Sequence, residues 1–207
     1  MTSCGPQEGK TLIVANLAVT FARKGARVLL IDCDLRRPRL HKVFGVSRDP
    51  GLIELLSDGA THAQSFDAPL RVGEAVVAQP IPGILPTQVA GLSLLPCGAL
   101  PPDRSEPLQP LRLRSLLNEL SGQFNVIILD TPPVLVSADA ALLGPLTDGA
   151  ILVVQAGQTD RASAERACQY LIGAGTHLLG AVLNDPAGEL ARYDKLYYSY
   201  GYPIRSK

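Results

Sequence analysis

The chain has no tryptophan, no net charge and few cysteines, and each shortage removes a class of function. Nineteen Lys and Arg stand against nineteen Asp and Glu, so the basic field that draws a protein to nucleic acid is lacking. Without Trp there is no evident aromatic surface for stacking bases, and nucleic acid is not an expected partner. Long apolar runs are missing too. Val126 to Leu129 and Ala150 to Val154 fall far short of the ~20 residues of a membrane span, so a soluble chain is expected. Cys4, Cys33, Cys97 and Cys168 are scattered singly, with neither paired metal-ligand spacing nor disulfide-scaffold density. That usage fits a reducing, cytoplasmic setting without zinc. Met1 to Pro6 has neither the charged start nor the apolar stretch of a signal peptide.

What is present is a core. The 207 residues are 46% hydrophobic, enough for one substantial domain. Apolar runs without polar alternation recur at Arg27 to Asp32, Leu92 to Pro96, Asn125 to Asp130, Ala150 to Gln155 and Leu178 to Asn184, the pattern of strands covered on both faces. Helical patterns lie between them, at Lys10 to Lys24, Gly51 to Leu56, Leu111 to Leu120, Ala138 to Leu146 and Asp160 to Ile172. The alternation predicts an α/β fold, a doubly wound, mostly parallel sheet with helices on both faces. Leu12, Ile13, Leu17, Val19 and Phe21 spread over several faces of the first helix, which is therefore expected to be buried at the centre. Residues 57–110 hold most of the 17 prolines and read as a long surface excursion over the nucleotide side. The expected organisation is one domain over 1–187 and a tail over 188–207 with five of the six tyrosines, Tyr193, Tyr197, Tyr198, Tyr200 and Tyr202.

Gly9-Lys10-Thr11 opens the first helix. A phosphate-binding loop needs small residues whose amides converge on oxygens, a lysine for the terminal phosphates and a hydroxyl for Mg2+, all at a helix N-terminus. The tripeptide alone also suits a capped helix start with a surface lysine. Two further segments add weight, Ile31-Asp32-Cys33-Asp34 and Leu129-Asp130-Thr131-Pro132-Pro133. Each puts carboxylate at the C-terminal end of a buried strand, the edge where open α/β sheets bind ligands. One such Asp could simply cap the next helix. Three carboxylates meeting a Gly-Lys-Thr loop on one edge predict a P-loop NTPase site for a nucleotide with Mg2+, a hard ion that selects oxygen ligands.

Ser3-Cys4-Gly5-Pro6-Gln7-Glu8-Gly9-Lys10-Thr11 resembles the Walker A loop of the bacterial tyrosine kinases, Ser-x-x-Pro-x-x-Gly-Lys-Ser/Thr. Asp32-Cys33-Asp34-Leu35-Arg36 is similar to their Walker A′ motif and Leu129 to Pro133 to their Walker B, and the terminal tyrosines resemble the family's autophosphorylation tail. Leu95 to Pro102 and Ala181 to Asn184 extend the likeness along nearly the whole chain. ParA/MinD-type ATPases share the scaffold but carry an extra lysine where Gly5 stands.

The resemblance implies a cytoplasmic, ATP-dependent protein-tyrosine autokinase that regulates capsular or exopolysaccharide synthesis, with ATP and Mg2+ as cofactors. It implies ATP contacts at Pro6, Gln7, Glu8, Gly9, Lys10, Thr11 and Leu12, with Asn184 near the adenine or serving as a strand-end turn. Metal ligands are implied at Thr11, Asp32 and Asp130, and catalytic roles at Lys10, Asp32, Asp34 and Asp130, with Asp32 the candidate for accepting the tyrosine proton. Arg36 and Arg37 suit phosphate neutralisation, a subunit contact or a solvated turn. The implied partners are further copies of the chain acting in trans, a separate membrane activator of the polysaccharide co-polymerase type that would hold the protein at the inner membrane face, and a tyrosine phosphatase. The ring-forming Glu-x-x-Arg-x-x-Arg helix has no counterpart here, and only Met1, Thr2 and Ser3 precede the loop, so the strand before the P-loop is expected to be missing. The competing expectations are a ParA/MinD-type nucleotide-switched module whose tail docks a partner, and an inactive, N-terminally truncated fragment.

Overall fold

A computed structural model describes residues 1–57, 81–100 and 108–184, and the backbone of 70–72 and 75–77. Its elements in chain order are β1 (Thr2–Ser3), α1 (Lys10–Arg23), β2 (Val28–Asp32), α2 (Leu40–Phe44), α3 (Leu52–Leu56), β3 (Leu70–Val72), β4 (Ala75–Val77), β5 (Leu85–Pro86) and β6 (Leu92–Leu95). There follow α4 (Pro110–Ser121), β7 (Val126–Asp130), α5 (Asp139–Leu143), β8 (Ala150–Gln155), α6 (Arg161–Gly173) and β9 (Leu178–Asn184). Two ladders carry the domain, ordered β5-β6-β2-β7 and β1-β8-β9; every pairing in them is parallel except that of β5 with β6.

Period-two alternation along β2 and β6 divides the core between the two faces of the sheet. Val28, Leu30, Leu92 and Leu94 pack with Val14, Ala15, Ala18 and Ala22 of α1 and Leu40 of α2. Leu29, Ile31 and Leu95 point the other way, to Leu52 and Leu56 of α3, Leu113, Leu117 and Leu120 of α4, and Leu143 of α5. On α6, Ala167 and Leu171 cover Leu152 of β8. Helices therefore lie on both faces, as the apolar runs predict. Among the described residues no helix is long and apolar enough to cross a membrane.

Three expectations need correction. The first helix is not buried all round. Its stripe of small residues (Val14, Ala15, Ala18, Ala22) lets its axis approach the sheet closely, and this leaves Leu12 and Phe21 exposed. Nor is the Pro-rich stretch merely a surface excursion. Besides the strand read at Leu92 to Pro96, which is the internal strand β6, its Ile81 and Leu108 are buried in the core formed with α3 and α4. Residues 58–69, 73–74, 78–80, 101–107 and 185–207, which include the tail tyrosines, lie outside the described residues.

The third correction concerns the strand before the loop. Its upper end is present as β1, with Thr2 opposite Leu152 and Ser3 opposite Val153 of β8. On its other side the Met1 nitrogen donates to Leu129 O (2.6 Å), Thr131 N donates to Met1 O (3.2 Å) and Val134 N to Ser3 O (2.8 Å). Two residues are thus enough to bridge β7 and β8 at the carboxyl edge, and the sheet does not close by joining those two strands directly.

Candidate nucleotide site

The turn from β1 into α1 is built by backbone geometry. Gly9 has φ of +81° and Gln7, unusually for a side-chain-bearing residue, has φ of +66°. A Cβ at Gly9 would also displace the Asn184 amide, so glycine suits the site in backbone angle first and in space second. Glu8 folds inward and is buried. Its carboxylate accepts from Gly5 N (3.0 Å) and from the Thr159 hydroxyl, while its carbonyl accepts from Asn184 Nδ2 (3.0 Å). Ser3 Oγ donates to Gly5 O (2.8 Å). The loop is thereby tied to the ends of β8 and β9, and Pro6 and Gln7 stay exposed at its crest.

Register brings the acidic groups together. Asp32 and Asp130 end adjacent parallel strands directly opposite each other. Lys10, only 6% exposed, lies between Asp130 Oδ1 (2.5 Å) and Asp34 Oδ2 (3.6 Å), and Thr11 Oγ1 donates to Asp130 Oδ2 (2.8 Å). A buried ammonium costs several kcal/mol unless it is paired, and these two carboxylates supply the pairing. The cavity beside the loop has a volume of about 470 Å³; Gly9, Lys10, Thr11, Leu12 and Asp34 line it, with Arg37, Arg39, Val43 and Pro133 facing them.

The aspartates differ in employment. Asp32 is fully buried, and its carboxylate accepts from Asp34 N (3.3 Å), Arg39 N (3.1 Å) and Leu40 N (3.1 Å), the last two at the start of α2. It thus holds the first amides of α2, which is compatible with either role its position in sequence allows, and it does not line the cavity beside the loop. Asp34 does border the cavity, and one of its oxygens accepts from Arg37 N (2.9 Å). Arg39 and Thr159 were not singled out from sequence. A position after the carboxyl end of a parallel strand is their only sequence signal.

Burial, followed by the charge of Asp130, pushes the Asp32 carboxyl from 3.8 up to about 7, against the pull of the Leu40 and Asp34 amides. The folded chain then holds this proton more tightly than the unfolded chain, so between about pH 4 and pH 7 this group's contribution to stability falls as pH rises. Asp32→Asn is expected to flatten that part of the Tm-against-pH curve of metal-free protein, to retain most nucleotide affinity and to lower turnover strongly. Wild-type turnover in the variant would reduce Asp32 to a helix cap.

Among the described residues no three His, Cys, Asp or Glu side chains form a ready metal cage. Mg2+ does not need one, because it keeps several waters and binds through one or two carboxylates plus phosphates. The donors fit that ion: Thr11 Oγ1 and Asp130 are adjacent, and a cation, the Lys10 ammonium, already lies in the field of Asp130 and Asp34.

Comparison with known proteins gives the same site a lineage. Residues 5–195 match the family described as CobQ/CobB/MinD/ParA nucleotide binding domain. The chain is 35% identical over 184 residues to tyrosine-protein kinase YwqD of Bacillus subtilis strain 168, covering 89% of this chain and 70% of that protein. It is 31% identical over 202 residues to the Staphylococcus aureus protein named putative tyrosine-protein kinase CapB, covering 97% and 79%. The solved kinase domain of Escherichia coli tyrosine kinase ETK superposes with a TM-score of 0.75 at 31% identity, over 89% of this chain and 66% of that one. The chain belongs to the MinD/ParA nucleotide-binding family and, within it, to the bacterial tyrosine-protein kinases.

Proposed function

We propose that this protein is an ATP-dependent protein-tyrosine autokinase whose acceptors are Tyr193, Tyr197, Tyr198, Tyr200 and Tyr202, and that it works in capsule or exopolysaccharide synthesis. The observation that carries the reading is the placement of Lys10, buried at the mouth of a glycine loop and shared between Asp130 and Asp34. Phosphoryl transfer asks little of the protein beyond positioning and charge neutralisation, and these groups supply both. On nucleotide binding Lys10 moves from the carboxylates to the β- and γ-phosphates, and the amides around Gly9 cradle them. Thr11 and Asp130 would hold Mg2+ there. When bound, the ion neutralises charge on the phosphates.

The acceptor hydroxyl oxygen attacks the γ-phosphorus as the bond to the bridging oxygen of ADP breaks, and the phenolic proton passes to a carboxylate. Asp34, on the cavity wall, is the better placed acceptor, and Asp32 supports it through the Asp34 amide. Arg37 and Arg39 face the loop and are suited to neutralise charge building on the transferred group. Asn184, beside Glu8 and Gly9, is suited to meet the base. Partners that fit the reading are a second copy presenting its tail in trans, a polysaccharide co-polymerase-type activator at the inner membrane face, and a tyrosine phosphatase. Purified protein incubated with Mg2+ and ATP is expected to become phosphotyrosine-positive. A protein that hydrolyses ATP without acquiring phosphotyrosine is instead the nucleotide-switched binding module.

A further inference from the structure

Glu8 is bonded to the ends of both β8 and β9, and its two partners there lie outside the lining of the cavity beside the loop. Its side chain accepts from the Thr159 hydroxyl, and its carbonyl accepts from Asn184 Nδ2 (3.0 Å). Thr159 is itself fastened to the end of β8. Its Oγ1 accepts from Gln155 N (2.9 Å), and its N donates to Gln155 O (2.9 Å). Asn184 stands opposite Gln155 in the ladder, and its O accepts from Ala156 N (2.9 Å). The two strand ends therefore form one hydrogen-bonded platform, and Glu8 is joined to it by side chain and main chain alike.

The consequence lies in the peptide between Glu8 and Gly9. A trans peptide is planar, and its C=O and N–H point in opposite directions. With Glu8 O held by Asn184, the Gly9 N–H is turned away from Asn184, and the residues that follow, Lys10 and Thr11, line the cavity together with Gly9. The side chain governs the other limb of the loop. Its second carboxylate oxygen accepts from Gly5 N (3.0 Å), so Gly5 and Thr159 are held by one buried group. A buried carboxylate is tolerated where its oxygens are hydrogen-bonded, and both of these are. Between the two limbs only Pro6 and Gln7 stay exposed. Amides oriented before the ligand arrives need no ordering when it binds, and affinity rises accordingly.

We propose that Thr159 and Asn184 are positioning residues for the phosphates: acting through Glu8, they set the Gly5 and Gly9 ends of the loop, whatever base the nucleotide carries. For Asn184 this role is additional to a contact with the base. The inference rests on the phosphate-loop reading of Gly9, Lys10 and Thr11 and is independent of the tyrosine acceptors.

The test sets magnesium tripolyphosphate, which has phosphates but no base, beside MgATP, in calorimetry at a temperature where circular dichroism shows every variant folded. Thr159→Val and Asn184→Ala are each expected to weaken both ligands by about tenfold, through lost preorganisation. Thr159→Ser keeps the hydroxyl and is expected to bind both within about twofold of wild type. In a Glu8→Ala background Thr159→Val is expected to cost less than about twofold more, because its partner is already gone. Asn184→Ala that weakens ATP but leaves tripolyphosphate at wild-type affinity would reduce Asn184 to a base contact and overturn its positioning role. Wild-type affinities in Thr159→Val would overturn the clasp, and an undiminished loss from Thr159→Val in the Glu8→Ala background would overturn the route through Glu8. Lys10→Ala checks the loop assignment separately: it is expected to abolish tripolyphosphate binding, and binding that survives it would overturn the phosphate-loop reading on which the proposal rests.

Discussion

A Lys10→Ala chain is expected to show no measurable MgATP binding in calorimetry, a loss of at least about 100-fold, and no phosphotransfer. Two effects combine. In the proposed function Lys10 meets the terminal phosphates, and such charge-assisted contacts are the strong ones. It is also the group that neutralises Asp130, 1% exposed, at 2.5 Å. Removing one partner of a buried pair costs ~3–5 kcal/mol unless the survivor takes up a proton. The variant therefore lacks both the cation of the proposed phosphate contact and the partner of a buried carboxylate. Lys10→Met, which keeps most of the buried stem, separates the two contributions: it should lose ATP affinity equally but give up less Tm. ATP affinity unchanged in both variants would remove the P-loop assignment.

Replacing Tyr193, Tyr197, Tyr198, Tyr200 and Tyr202 together by Phe is expected to reduce the phosphotyrosine signal to background while Tm and MgATP affinity stay at wild-type values. The physical argument is separation. Among the described residues, the three hydrophobic clusters lie between Met1 and Leu178 and the nucleotide loop is held by contacts up to Asn184, all ahead of these tyrosines in the chain. Phe keeps ring and bulk and removes only the hydroxyl that accepts phosphate. The sixth tyrosine, Tyr170, stands exposed on α6 and remains as an internal control. Mass spectrometry of wild-type protein that binds ATP yet carries phosphate on none of the five would favour the switched binding module.

Some of this was legible in the chain because it depends on local pattern. Unbroken apolar runs such as Val28 to Asp32 and Val126 to Asp130 satisfy only a strand covered on both faces, and they appear as the paired β2 and β7. The placement of Asp32, Asp34 and Asp130 at one edge follows directly, because a parallel sheet brings the carboxyl ends of its strands together. The helices between them were read from spacing that a single face of an isolated helix already determines. α2 was not visible, because five residues are too few to show a period, and its start is held by Asp32 from eight positions away.

Tertiary structure alone decided the rest, for reasons of register and burial that no window of sequence contains. Asp32 and Asp34 are two residues apart, yet one is sealed in the core with three amides on its carboxylate and the other borders the cavity. The partner of Lys10 is 120 residues away, and the clasp of Glu8 by Thr159 spans 151. The strand ahead of the loop makes the same point. The chain shows three residues there, too few for a strand by local rules, but two of them suffice at the carboxyl edge because β7 and β8 hold them from both sides. Local sequence thus determined which segments are strands, which are helices and where a phosphate loop opens. Long-range packing determined which carboxylate caps, which faces the nucleotide site and which balances the lysine, because solvent access and distance to a charge exist only once the sheet is assembled.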